Sequence, residues 1–153
     1  MTPLLALVRE LVSRGDDLVV YSTPFFATNI EQTVASFVPQ LEVVQRASAF
    51  VTHGGMNSVS ESLRMSVPMV TVPQMGEQEI VSRRVEQLRA GLYLAKDEVS
   101  PDRLLLSVRR LLKEERFRKV AAGLGETLLA AGGIAEAATL VKAFAAVVAR
   151  RES

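Results

Sequence analysis

Short apolar segments alternate with amphipathic segments along the middle of this chain of 153 residues. The predicted strands and helices are, in chain order, Leu41–Ala47 (helix), Ala49–Thr52 (strand), Asn57–Met65 (helix), Pro68–Pro73 (strand), Gln78–Ala90 (helix), Gly91–Ala95 (strand) and a helix from Ser100-Pro101 to about Lys113. Strands that alternate with helices in this way are typical of βαβ units and a parallel sheet. With one more strand at Asp17–Thr23, we expect an α/β fold: a Rossmann-like parallel sheet of about four strands flanked by helices.

Composition excludes several classes of function. The hydrophobic fraction is 48% and the charged fraction 23%, which is typical of a folded globular protein. A net charge of +1 and few aromatic residues argue against nucleic acid as a partner. The absence of cysteine excludes disulfides and is consistent with a cytoplasmic protein. We see no signal peptide and no run of about 18 apolar residues, so we expect no membrane span.

One segment, "FVTHGGMNSVSESL" (Phe50–Leu63), places the only histidine of the sequence between a predicted strand and a predicted helix. In a parallel sheet, ligands bind at the carboxyl ends of the strands, where His53 and Gly55 lie. The first turn of a helix has unpaired N–H groups and a partial positive charge, which together favour an anion. Asn57 and Ser58 add side-chain donors, and Glu61 can accept hydrogen bonds from sugar hydroxyls. The pattern predicts a diphosphate site.

A structural explanation of the same residues stays open. Ser58 and Glu61 have the spacing of a capping box, in which the two side chains bond the first helical amides. A single strand-Gly-Gly-helix motif is a weak signal on its own. The segment "PQMGEQ" (Pro73–Gln78) follows the next strand, so Glu77 and Gln78 are predicted at the same sheet edge, but it is also an ordinary start of a helix.

These segments together resemble a known signature. The stretch "FVPQLEVVQRASAFVTHGGMNSVSESLRMSVPMVTVPQMGEQEIVSRRVEQLRAGL" is similar to the donor-binding region of nucleotide-diphospho-sugar glycosyltransferases of the GT-B fold, and most similar to bacterial macrolide and flavonoid glycosyltransferases. The resemblance extends from about Phe37 to Ala138. It implies a UDP-sugar donor, a small-molecule hydroxyl acceptor and no metal.

The resemblance also implies roles for single residues, carried over by position. Phe37 would stack on the base, and Val38 and Gln40 would contact base and ribose. The diphosphate would be held by His53, Gly55, Asn57 and Ser58, with Met56 beside it. Glu61 would bind the ribose hydroxyls, and Glu77 and Gln78 the transferred sugar.

The sequence departs from the family pattern in ways that affect catalysis. No histidine precedes the helix predicted to begin at Thr2, where the family has its general base, so we assign no catalytic residue. Ser66 and Arg89 stand where the pattern usually has glycine. We expect residues 1–36 to be a remnant of the acceptor domain and residues 37–153 a partial donor-binding domain, the two packed together, with segments of the family fold missing. Turnover would then require an acceptor-domain partner chain or a homo-oligomer, and the alternatives are a binding fragment or a structural chimera without turnover.

Overall fold

The structure is a computed structural model that describes residues 39–151. Phe37, Val38 and the predicted strand Asp17–Thr23 lie outside the described residues. The elements are, in chain order, α1 (Gln40–Arg46), β1 (Phe50–Thr52), α2 (Met56–Arg64), β2 (Met69–Thr71), α3 (Gly76–Gln87), β3 (Gly91–Tyr93), a 3₁₀ turn (Lys96–Glu98), α4 (Pro101–Lys113), α5 (Arg116–Ala130) and α6 (Gly133–Arg151).

The predicted parallel α/β architecture is confirmed. Within residues 39–151 the sheet has three strands in the order β1-β2-β3, and both pairs are parallel. Thr52, Thr71 and Tyr93 are aligned in register at the carboxyl ends of the three strands. The loops that follow these three residues therefore emerge along one edge of the sheet.

Helices cover both faces of the sheet because the strands carry apolar residues on both sides. Val70 packs on one face with side chains from α4 and the start of α5: Leu104, Leu105, Val108, Leu111 and Phe117. Met69 packs on the other face with side chains from α2 and α3: Val59, Val81 and Val85. All three residues of β2 are buried, as expected for the middle strand.

Helix α5 packs on α2 at a glycine. A Cβ atom at Gly125 would lie 2.2 Å from the carbonyl oxygen of Leu63, so the two backbones touch where no side chain fits. Gly123 lies two residues earlier, on another side of the helix, and a Cβ atom there would meet nothing within 4 Å. Because α2 begins at the candidate site described below, α5 supports the helix that carries it.

Both helices that cross between strands end in the same way. Ser66 and Arg89 follow α2 and α3 with φ angles of 59° and 60°, the left-handed conformation that favours glycine. Val67 N–H donates to Ser62 O at 2.9 Å, and Ala90 N–H donates to Val85 O at 3.1 Å. Each helix thus ends in a Schellman motif, which explains why the family pattern usually has glycine at these two positions; nothing in the structure explains why serine and arginine replace it here.

The carboxyl-terminal helices contain more apolar sequence than we expected. The segment Arg116–Ala145 is long and apolar enough, by length and composition, to cross a membrane, with a mean hydropathy of 1.5 over 18 residues. The segment is not an uninterrupted apolar run, because it includes charged residues such as Glu126, Glu136 and Lys142, so the absence of a membrane span stays a prediction. The segment is divided at Gly132, whose φ is 80°, and α5 packs on α2. Leu140, Val141 and Phe144 of α6 are exposed.

Candidate functional site

A pocket opens at the carboxyl edge of the sheet, between the starts of α2 and α3. Its volume is about 330 Å³, and its lining consists of His53, Gly55, Met56, Asn57, Ser58 and Glu77. Each of these residues was predicted as a site residue from the sequence. Two loops from neighbouring strands converge here because parallel strands end at one edge.

The amino terminus of α2 faces this pocket without a side-chain cap. The helix begins at Met56, the N-cap is Gly55, and no described side chain bonds the cap. The first intrahelical bond is donated by Val59 N–H to Gly55 O at 3.0 Å, so the amides of residues 56–58 precede the helical ladder. The capping-box alternative is wrong, because Ser58 is the third helical residue instead of the N-cap.

Two glycines allow the loop to turn tightly. Gly54 has a φ of 81°, and its N–H donates to Thr52 Oγ1 at 3.3 Å. A Cβ atom at Gly55 would lie 2.7 Å from His53 Nε2, so the imidazole folds over Gly55 at the start of α2. The imidazole and the helical amides therefore face the same space.

Gln40 joins the site through a long-range contact. Its Nε2 donates to Glu61 Oε2 at 2.6 Å and to Ser58 Oγ at 3.2 Å. The sequence predicted a helix that begins at Leu41. Pro39 is extended, with φ −64° and ψ 98°, but Gln40 already begins α1. Ser58 and Glu61 lie on the same face of α2, and the side-chain amide of Gln40 bonds both of them.

The two residues predicted to contact the sugar behave differently. Glu77 is exposed and lines the pocket from the first turn of α3. Gln78 is not among the lining residues, and its Oε1 accepts a hydrogen bond from Gln74 N–H at 2.8 Å. The side chain of Gln78 thus holds the turn before α3.

Sequence reasoning missed two groups of contacts made by α3. Ser82 is buried on α3 and lies against Gly54. Tyr93 donates its hydroxyl to Glu79 Oε1 at 2.8 Å, and Arg83 pairs with the same oxygen at 2.7 Å. The hydrogen bond to Glu79 raises the pKa of the Tyr93 phenol. This cluster ties β3 to the first turns of α3; its residues are far apart in sequence, and no local pattern predicts their contact.

Residues 39–151 contain no group of three or more histidine, cysteine or acidic side chains placed to hold a metal ion. The same holds for the pocket lining, where the titratable side chains are His53 and Glu77. A ligand here would be held by amides, hydroxyls and these two side chains.

Residues 23–144 match the family described as Erythromycin biosynthesis protein CIII-like, C-terminal domain. The chain belongs to this EryCIII-like family. Its relatives include the uncharacterized UDP-glucosyltransferase YojK of Bacillus subtilis (strain 168), with 42% identity over 69% of this chain and 26% of the relative. The EryCIII-like chain thus spans about a quarter of the length of that curated relative.

Solved structures agree with this assignment. The calicheamicin glycosyltransferase CalG4 aligns over 76% of this chain and 31% of its own, with 30% identity and a TM-score of 0.70. Os79 from O. sativa, solved in complex with UDP, aligns over 80% of this chain and 32% of its own, with 26% identity and a TM-score of 0.64. The EryCIII-like chain therefore has the fold of part of a GT-B glycosyltransferase.

Proposed function

We propose that the pocket at the start of α2 binds the diphosphate of a nucleotide-sugar, a UDP-sugar, whose sugar is transferred to a hydroxyl of a small-molecule acceptor. The observation that carries this proposal is the uncapped amino terminus of α2, which opens into the pocket with the His53 imidazole over its first residue. The similarity to YojK, named a UDP-glucosyltransferase, and to Os79, solved with UDP, supports it.

Phosphate oxygens suit the charge and the donors of this helix start. The amides of Met56, Asn57 and Ser58 precede the helical ladder, and the helix dipole places a partial positive charge there. The imidazole of His53 adds a side-chain donor next to these amides. Donors of this kind hold a diphosphate without a metal ion, so we propose that donor binding requires none.

The Gln40–Glu61 pair prepares a site for the ribose. A carboxylate has about four lone-pair directions, and the bond from Gln40 Nε2 occupies one of them. The remaining lone pairs of Glu61 accept from the ribose hydroxyls, while Gln40 fixes the orientation of the carboxylate. Phe37 and Val38, which lie outside the described residues, would meet the base.

Glu77 faces the pocket from α3, opposite the phosphate-binding amides. Its carboxylate is suited to accept hydrogen bonds from hydroxyls of the transferred sugar. Gln78 uses its side-chain oxygen to hold Gln74 N–H, so only its amide nitrogen remains to donate to the sugar. We therefore assign the larger share of sugar recognition to Glu77.

Turnover requires a general base near the acceptor hydroxyl. The one histidine of the sequence is His53, and it faces the phosphate-binding amides. We propose that the base comes from a partner chain, either an acceptor-domain chain or a second copy of this one.

Calorimetric titration of the whole chain with UDP, uridine and UDP-glucose tests donor binding. We expect UDP to bind at least tenfold more tightly than uridine, because the diphosphate meets the α2 amides. His53→Ala removes a hydrogen bond to a charged group, which contributes about 1.5–3 kcal/mol, so we expect a loss of roughly ten- to hundredfold. Ser107→Ala is the control, because Ser107 is bonded to Arg103 O within α4, which does not line the pocket.

Equal affinity for UDP and uridine, or no binding of UDP at millimolar concentration, would contradict the proposed diphosphate site. Turnover is measured separately, as release of UDP from UDP-glucose with a phenolic acceptor. Sugar transfer by the isolated monomer would refute the need for a partner chain. Tight UDP binding without transfer under any assembly would favour a binding fragment.

A further inference from the structure

Ser82 is a buried polar residue whose hydroxyl the fold leaves unexplained. Its side chain has no exposed surface, and Oγ has no hydrogen-bond partner within the described part of the chain. Ser62 is equally buried on α2, but its Oγ donates to Val67 O at 2.8 Å. An unpaired buried hydroxyl is unfavourable by about 1–3 kcal/mol, so its presence requires a reason other than stability.

The hydroxyl of Ser82 lies against the glycine in the middle of the site loop. A Cβ atom at Gly54 would lie 2.2 Å from Ser82 Oγ, 3.6 Å from Ser82 Cβ and 3.3 Å from the carbonyl oxygen of Gln78. Gly54 is itself buried, and its φ of 81° suits glycine. The inner side of α3 thus forms a surface on which the backbone between His53 and Gly55 rests.

We infer that Ser82 is a positioning residue: it holds Gly54, and thereby sets the distance between the His53–Gly55 loop and the first turn of α3. The inference rests on the proposed function, because a bound sugar diphosphate would touch both the His53–Gly55 loop and the first turn of α3. On one side are His53 and Gly55, and on the other is Glu77. Ser82 is buried and acts through Gly54 without touching the ligand.

The first test compares two buried serines in the whole chain. Ser82→Ala removes an unpaired hydroxyl, so we expect the urea midpoint to stay the same or rise, while the affinity for UDP falls three- to tenfold. Ser62→Ala loses a hydrogen bond, so we expect a lower urea midpoint and an unchanged affinity. Ser82→Cys restores an atom in the γ position and should recover the affinity. Wild-type affinity in Ser82→Ala would overturn the inference.

The second test needs no ligand. Gly54→Ala places Cβ against Ser82 Oγ and should destabilise the fold strongly. Adding Ser82→Ala removes the 2.2 Å contact and leaves the contacts of 3.3 Å to Gln78 O and 3.6 Å to Ser82 Cβ, together with the left-handed φ. We therefore expect partial recovery, with the folding equilibrium constant rising at least tenfold. Adding Ser62→Ala to Gly54→Ala should give no recovery. If Gly54→Ala does not fold, recovery appears as folding of the double variant.

The two tests separate the two proposals. If the wild-type chain does not bind UDP, the proposed function fails, and the ligand-free comparison alone decides whether Ser82 and Gly54 are coupled. If UDP binds but adding Ser82→Ala does not restore the stability of Gly54→Ala, the contact does not position the loop and the inference is wrong.

Discussion

The contact between α2 and α5 makes a quantitative prediction about two glycines of one helix. Gly123 and Gly125 both lie inside α5. Because alanine has the higher helix propensity, replacing either glycine with alanine should by itself stabilise the helix by about 1 kcal/mol. They differ in surroundings. A Cβ atom at Gly123 meets nothing within 4 Å, whereas a Cβ atom at Gly125 lies 2.2 Å from Leu63 O, closer than the 3.4 Å of an ordinary contact.

The magnitude follows from that difference. Gly125→Ala forces the two helices apart by about 1 Å, which forfeits a quarter to a half of the dispersion energy of the contacts between them. Overpacking of this kind is unfavourable by about 1–3 kcal/mol. The gain in helix propensity offsets part of this loss. At the upper end of the range we therefore expect Gly125→Ala to lower the free energy of unfolding by about 2 kcal/mol, whereas Gly123→Ala should raise it by about 1 kcal/mol.

Equilibrium urea unfolding followed by circular dichroism measures both variants against the wild type. A separation of about 3 kcal/mol corresponds to a difference of roughly 6–12 °C in Tm for a chain of this size. If Gly125→Ala is as stable as Gly123→Ala, then α5 does not approach the backbone of α2 as the structure shows.

Three further predictions concern single positions. Ser66→Gly and Arg89→Gly should each raise the free energy of unfolding by about 0.5–1 kcal/mol, because relief of the left-handed conformation exceeds the added entropy of the unfolded chain; a lowered urea midpoint would contradict the Schellman assignment. Gly55→Ala should fold normally, since its φ of −62° suits alanine, but should weaken UDP binding severalfold in calorimetry by displacing the His53 imidazole; unchanged affinity would mean that the imidazole makes no contact with the phosphates. The exposed ring of Phe144 should promote self-association, so sedimentation should show a mass that rises with concentration in the wild type and less in Phe144→Ser; a constant monomer mass would refute it.

Local patterns predicted most of the secondary structure. Ser100 followed by Pro101 marked the start of α4, and Ser100 Oγ does accept from Arg103 N–H at 3.2 Å. Most other strand and helix boundaries were displaced by one to three residues, as at Asn57, where the helix in fact begins at Met56. The capping box failed because the same Ser-x-x-Glu spacing also occurs inside a helix, where these side chains face a neighbour instead of the first amides.

The order of the residues by itself determined the parallel α/β architecture and the edge at which the candidate site lies. Alternation of short apolar strands with helices leaves few other arrangements, and parallel strands must end together. Contacts across long sequence separations were decided only by the tertiary structure: Gln40 on Glu61, Ser82 on Gly54 and Gly125 on Leu63. Such contacts depend on the distance and rotation between packed helices, which no local periodicity encodes.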